Sequence, residues 1–185
     1  GLSCVTAHDF LQMCFPEREM LLAPILPRQG LCMLHAQRGI GKTYVSLSVA
    51  VAVASGGKTF DRWIAPKPAK VLFIDGEMPA RTLQERLASL INGSDSEPPS
   101  ADYLRILTPD MQYGAMPNLA TSEGQKAIEP LLQGIDLVIL DNLATLARHG
   151  RSNDEDSWIC GPDAASFEAQ LETHDHALFW TTKSI

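Results

Sequence analysis

A short stretch near the start of the chain combines the residue types that bind phosphate. It reads Ala36-Gln37-Arg38-Gly39-Ile40-Gly41-Lys42-Thr43, and it lies between an apolar stretch that favours a strand and an Ala- and Val-rich stretch that favours a helix. Glycines let backbone N–H groups turn inward around phosphates, and the helix N-terminus adds partial positive charge. Lys42 would neutralise phosphate oxygens, and the Thr43 hydroxyl would be a ligand of Mg²⁺. The stretch, extended to Tyr44, therefore predicts a phosphate-binding loop, with Ala36 where the first glycine is usual.

A second signal is an apolar strand that ends in a carboxylate. Residues 137–140 are Leu-Val-Ile-Leu and are followed by Asp141, roughly 100 residues after the loop. In nucleotide-binding proteins with a phosphate loop, a carboxylate at this place holds Mg²⁺. A carboxylate that merely ends a buried strand is the alternative interpretation. Together with the loop, the pattern predicts that Asp141 is a metal-binding residue.

A third signal follows the strand predicted at 71–74, where the chain reads Asp75-Gly76-Glu77-Met78-Pro79. A carboxylate beyond that strand could orient and activate the water that attacks the terminal phosphate. The alternative is a solvated glutamate in a turn that Pro79 helps to lead into a helix. We predict that Glu77 is the catalytic base, with Asp75 as the second candidate for the same role.

These residues need a scaffold, and the hydrophobic pattern predicts an α/β fold. Short, nearly continuous apolar strands separated by helices favour a parallel sheet that is covered on both faces. Strands are predicted at 31–35, 71–74, 103–107 and 135–140, and helices at 42–54, 80–91 and from 121 or 122 to about 133. We divide the chain into an entry segment, 1–29, with one short helix within 8–20, and a core, 30–185.

Composition excludes several classes of protein. The 185 residues are 45% hydrophobic and carry a net charge of −7, which disfavours disorder and a sequence-indifferent nucleic-acid coat protein. The four cysteines show no zinc-binding spacing, and no apolar run approaches a membrane helix. No signal peptide is visible, so we expect a soluble, cytoplasmic protein. The first residue is Gly1, which suggests processing or a part of something longer.

The order of the three motifs resembles that of the RecA-like P-loop ATPases. The phosphate loop, FIDGEMP at 73–79 and LVILDNL at 137–143 are similar to the branch near replicative hexameric helicases and plasmid RepA-type helicases, and to bacterial AAA or RecA-family ATPases. The resemblance spans about residues 27–158. It implies a three-layer α/β sandwich with a mostly parallel sheet, Glu77 as catalytic base, ATP and Mg²⁺ as ligands, a homo-oligomeric ring, and DNA as partner.

The C-terminal part departs from this family. In the family, the strand that follows the strand ending in Asp141 typically finishes in a polar sensor segment, often two histidines followed shortly by a lysine, whereas this chain offers Thr181, Thr182 and Lys183 as a possible sensor. The stretch 159–176 is unlike the family helix, and the final strands of a complete RecA-like sheet are missing, so we expect a C-terminally incomplete or divergent core. Arg148 and Arg151 lie in a polar loop that is either a DNA contact or ordinary surface.

Two functions remain open from the sequence. The first is a Mg²⁺-dependent, helicase-like ATPase that acts in DNA replication or remodelling. The alternative is a nucleotide-dependent switch that binds DNA or a partner protein without translocating. A small-molecule phosphotransferase is disfavoured because we find no Arg-rich lid segment. ATP is favoured over GTP because the chain has no Asn-Lys-x-Asp motif.

Overall fold

A parallel sheet of five strands organises the chain in the computed structural model, which describes residues 1–37, 39–147 and 176–183. The strands are β1 (Met20–Leu22), β2 (Leu26–Pro27), β3 (Leu31–Ala36), β4 (Lys58–Thr59), β5 (Trp63–Ile64), β6 (Val71–Asp75), β7 (Leu104–Leu107), β8 (Leu137–Asp141) and β9 (Ala177–Lys183). The central sheet has the order β3-β9-β8-β6-β7, and all its strand pairs are parallel. The predicted α/β fold with a parallel sheet is therefore confirmed.

Four of the five described helices follow strands of the parallel sheet, and one short exposed helix precedes all the strands. They are α1 (Ala7–Gln12), α2 (Lys42–Ser55), α3 (Ala80–Asn92), α4 (Ser122–Ile128) and α5 (Leu143–Leu146). α4 ends earlier than predicted and continues as a 3₁₀ turn over Glu129–Leu131. Pro130 explains this, because proline lacks the N–H that an α-helix needs and clashes with the preceding turn. No helix of the described residues has the length and apolar character of a membrane span.

The two inner strands β6 and β8 are buried along their whole length. Because successive side chains point to opposite faces of a sheet, each strand contributes to two separate hydrophobic cores. Phe73 and Ile139 pack in the core that includes α2. Ile74 and Leu140 pack in the other core, which includes residues of α4 and α5. The result is a layer of helices on each face of the sheet.

Strand β3, which leads into the phosphate loop, differs from the prediction of a buried strand. Among the described strands it lies at the edge of the sheet, and it pairs with β9. Leu31 and Met33 on one of its faces are 44% and 48% exposed, whereas the alternate residues are half-buried. The prediction was wrong because apolar composition alone does not distinguish an edge strand from a central one.

The predicted entry segment contains both exposed and packed parts. Residues 1–19 are exposed, and the helix predicted within 8–20 is the short α1. The hairpin of β1 and β2 is different, because Leu21, Leu22 and Leu26 belong to the same core as α2. Arg28 then links this region to the start of β8 through a 2.6 Å ion pair with Asp136.

Candidate functional site

A cleft of about 210 Å³ lies where β3, β6 and β8 reach their carboxyl ends. Its lining residues come from the three predicted motifs and from α3: Gly39, Gly41, Lys42, Thr43, Tyr44, Glu77, Arg86, Asp141 and Asn142. Carboxyl ends of neighbouring parallel strands meet at one edge of a sheet, which is the usual place for a ligand in α/β proteins. The structure therefore brings the three predicted motifs together.

The loop between β3 and α2 has the backbone geometry of an anion-binding turn. Gly39 and Gly41 have φ angles of 86° and 94°, in the left-handed region that other residues rarely adopt. Gly41 is the N-cap of α2 and supplies no side-chain acceptor, so the first N–H groups of the helix keep their capacity to bind a ligand. Ala36 and Gln37 lead into the loop, and Arg38 lies outside the described residues.

Lys42 is the first residue of α2 and is only 9% exposed. Its Nζ donates hydrogen bonds to two backbone carbonyls of the loop, those of Ala36 and Gln37. Both acceptors are uncharged. Phosphate oxygens are stronger acceptors for an ammonium group, so a bound phosphate would compete well for this side chain.

Asp141 lies at the end of β8 and is 4% exposed. Its carboxylate accepts hydrogen bonds from the hydroxyls of Thr181 on β9 and Ser46 on α2, the latter at 3.3 Å. The analysis of the sequence missed Ser46. A signal was present, because Ser46 follows Thr43 by three residues on a helix and such residues share one face.

The oxygen donors of this region fit a Mg²⁺ ion. The carboxylate of Asp141 and the hydroxyl of Thr43 line the same cleft, and Mg²⁺ prefers oxygen ligands. The hydroxyls that bond Asp141 are neutral. Among the described residues no group of three or more His, Cys, Asp or Glu side chains suits a metal ion.

The turn after β6 separates two acidic side chains that the sequence left as alternatives. Glu77 is exposed and lines the cleft. Asp75 is 1% exposed, and its Oδ2 accepts hydrogen bonds from the backbone N–H groups of Glu77 and Met78 at 3.2 and 2.7 Å. The buried carboxylate of Asp75 therefore stabilises the turn through two backbone hydrogen bonds, whereas Glu77 lines the cleft.

The buried position of Asp75 changes its protonation. Burial raises the pKa of its carboxyl to about 6, and the negative charges of Asp141 and Glu77 act in the same direction. The hydrogen bonds from the turn oppose this effect because they favour the ionised form. A bound cation near Asp141 would lower the same pKa.

Tyr44 and Arg86 form a contact at the mouth of the cleft. The guanidinium carbon of Arg86 on α3 lies 4.8 Å from the centre of the Tyr44 ring, a cation–π distance. Arg86 and Asn142 also line the cleft, and neither was predicted from the sequence as a site residue. No local pattern indicates Arg86, because its place depends on how α3 packs against α2.

The three residues predicted to form a sensor do not share one set of contacts. Thr181 contacts Asp141, but Thr182 forms a 2.7 Å hydrogen bond with His35 of β3. Adjacent residues of a strand point to opposite faces, which explains the difference. Lys183 lies in β9 in register with Ala36. Arg148 and Arg151 lie outside the described residues.

Comparison with known proteins identifies the family. The family model described as "AAA domain" matches residues 2–178. No curated protein matches the chain. The family match covers most of the sequence and agrees with the parallel sheet and with the glycine-rich loop between β3 and α2. The chain therefore belongs to the AAA-domain family of AAA/RecA-like P-loop ATPases and is a nucleotide-binding ATPase domain.

Proposed function

We propose that this domain is a Mg²⁺-dependent, helicase-like ATPase that acts in DNA replication or remodelling. The observation that carries the ATPase chemistry is the meeting of Lys42, Thr43, Asp141 and Glu77 in one cleft. Each of these residue types has a distinct task in phosphoryl transfer to water.

Nucleotide binding is assigned to the loop and to the start of α2. The backbone N–H groups around Gly39 and Gly41 face the phosphates, and Lys42 exchanges its carbonyl partners for phosphate oxygens. Thr43 and Asp141 would hold Mg²⁺, which when bound would neutralise charge on the phosphates. Thr181 keeps the carboxylate of Asp141 in one orientation through its hydroxyl.

Hydrolysis is assigned to Glu77. Its exposed carboxylate at the rim of the cleft can accept a proton from a water molecule that attacks the terminal phosphate. Asp75 is less suited to this task, because its carboxylate is buried and already accepts two backbone hydrogen bonds. We assign to Asp75 the support of the turn that carries Glu77.

The DNA partner and the homo-oligomeric ring rest on the resemblance to RecA-like helicases. With a net charge of −7, a DNA-binding surface must be local, and Arg148 and Arg151 are the residues proposed for it. Ring assembly would let a neighbouring subunit complete the cleft. The switch that binds without translocating uses the same nucleotide chemistry.

Two substitutions test the ATPase assignment. Lys42→Ala removes a charge-assisted contact worth about 2–3 kcal/mol, so calorimetry should find ATP affinity reduced by about 30- to 150-fold. Glu77→Gln should bind ATP normally but hydrolyse it about 10²–10⁴-fold more slowly in a single turnover. The matched controls Lys126→Ala and Glu123→Gln change exposed residues of α4 and should behave like the wild type. Unchanged ATP affinity in Lys42→Ala would refute the nucleotide site.

The proposed work on DNA has a separate test. Single-stranded DNA should increase ATP turnover, and ATP hydrolysis should drive strand displacement on a forked duplex. Stimulated turnover or nucleotide-dependent binding without displacement would favour the switch. If DNA changes neither turnover nor assembly, the DNA partner is wrong, whatever the outcome for the ATPase residues.

A further inference from the structure

The turn that carries Glu77 leads directly into α3, and this helix has an unusual N-terminus. Its N-cap is Pro79, which offers no side-chain acceptor to the first N–H groups of the helix. The acceptor comes instead from Asp110, 30 residues later in the chain. Oδ2 of Asp110 accepts a 2.8 Å hydrogen bond from the backbone N–H of Ala80, the first residue of α3. Asp110 therefore acts as an N-cap supplied from outside the helix, and its negative charge suits the helix dipole.

A cavity of about 300 Å³ lies behind the same turn. Gly76 and two residues of α5, Thr145 and Leu146, line it together with Pro109 and the stretch 114–118. The cavity lies between Gly76 of the turn and part of the segment that follows Asp110, whereas on the side of α5 Gly76 packs closely against Thr145. The hydrogen bond from Ala80 to Asp110 therefore links the turn to this segment beside the cavity.

Two carboxylates hold the turn from its two ends. Asp75 accepts from the N–H groups of Glu77 and Met78, and Asp110 accepts from that of Ala80. Resting on the proposed role of Glu77 as the base, we propose that Asp110 is a positioning residue for Glu77. It acts through the backbone of the turn and has no contact with the nucleotide in this role.

The expected consequence is a loss of rate without a loss of binding. Without Asp110 the first turn of α3 frays, and the Glu77 carboxylate spreads over more positions. Misplacement of a catalytic group by about 1 Å can cost up to about 10²-fold in rate. The loop around Gly41 and Lys42 belongs to another element, α2, so ATP binding should not depend on this hydrogen bond.

Three variants of the chain test the proposal. Asp110→Ala should lower kcat about tenfold with an unchanged KM for ATP. Asp110→Asn should restore most of the rate, because its amide oxygen can still accept the hydrogen bond from Ala80. Tyr113→Ala, in the same segment and fully exposed, is the matched control and should leave kcat unchanged. Thermal unfolding of each variant verifies that the fold is retained.

The double variant with Glu77→Gln and Asp110→Ala distinguishes a positioning effect on Glu77 from a general loss of activity. If Asp110 acts through Glu77, Asp110→Ala should cause no further loss of single-turnover rate in the Glu77→Gln background. The same tenfold loss in both backgrounds would overturn the inference, as would a wild-type kcat for Asp110→Ala. Normal hydrolysis by Glu77→Gln would refute the proposed role of Glu77 and this inference with it. A slow Glu77→Gln beside a normal Asp110→Ala would refute this inference alone.

Discussion

Asp75→Asn should remove a pH dependence from the stability of the fold. The wild-type carboxyl is 1% exposed, and burial together with the charges of Asp141 and Glu77 raises its pKa from 3.8 to about 6. The folded protein therefore holds this proton more tightly than the unfolded chain does. Asparagine keeps a similar shape, and its amide oxygen can accept the hydrogen bonds of the turn, but it does not titrate.

The sign and size of the effect follow from linkage. Below the unfolded pKa of 3.8, Asp75 is protonated in both the folded and the unfolded protein, so its ionisation does not lower the free energy of unfolding. As the pH rises towards about 6, the unfolded chain loses the proton first, so the free energy of unfolding of the wild type falls. Above about pH 6 the loss of unfolding free energy levels off at about 3 kcal/mol, because each unit of pKa difference between the folded and unfolded states contributes about 1.4 kcal/mol. About 2 kcal/mol of this loss should occur between about pH 4.5 and pH 7.5.

The measurement is urea-induced unfolding of wild type and Asp75→Asn across that pH range, without nucleotide or Mg²⁺. The difference in unfolding free energy should shift by about 2 kcal/mol in favour of the variant as the pH rises. Asp102→Asn, which changes an exposed carboxylate, is the matched control, and its unfolding free energy should follow the same pH dependence as that of the wild type. Parallel curves for Asp75→Asn would refute the reasoning, because they would mean that Asp75 has the same proton affinity in both states.

Three further outcomes follow from particular contacts. Thr181→Val removes a hydroxyl that donates to the buried Asp141, so the free energy of unfolding should fall by about 1–3 kcal/mol in urea denaturation; an unchanged midpoint would show that this hydrogen bond contributes little. Gly124→Ala would place a Cβ 1.9 Å from the backbone oxygen of Asn118, so it should destabilise the fold by more than about 2 kcal/mol, and a stable variant would contradict the packing of α4. ATP turnover per subunit should rise with protein concentration if a neighbour completes the cleft, whereas brisk turnover at a flat rate indicates a self-contained monomer.

Most of the residues that line the candidate site could be named from the sequence because their requirements are local. Gly39 and Gly41 permit a left-handed backbone, and Lys42 follows them at the start of a helix, so the composition of a few residues defines the turn. Asp141 ends the apolar strand β8, and Glu77 follows strand β6 in the same way. The alternation of buried strands and helices was sufficient to predict the parallel α/β fold.

The order of the strands was decided only in the tertiary structure. β9 lies between β3 and β8, although it is the last strand of the described chain. Hydrogen bonds between strands join residues far apart in sequence and leave no local pattern. This insertion places Thr181 against Asp141, makes β3 an edge strand and turns Thr182 towards His35.

Packing also decides which of the two neighbouring carboxylates lines the cleft. Asp75 and Glu77 are two residues apart in the same turn, and the sequence offers both as bases. Burial of Asp75 behind the turn and exposure of Glu77 in the cleft distinguish them. Asp110 lies 30 residues after Ala80 in the sequence, and only the folded chain brings the two into a hydrogen bond. Burial and long-range hydrogen bonds arise only when the chain is folded, so a local pattern of residue types predicts neither.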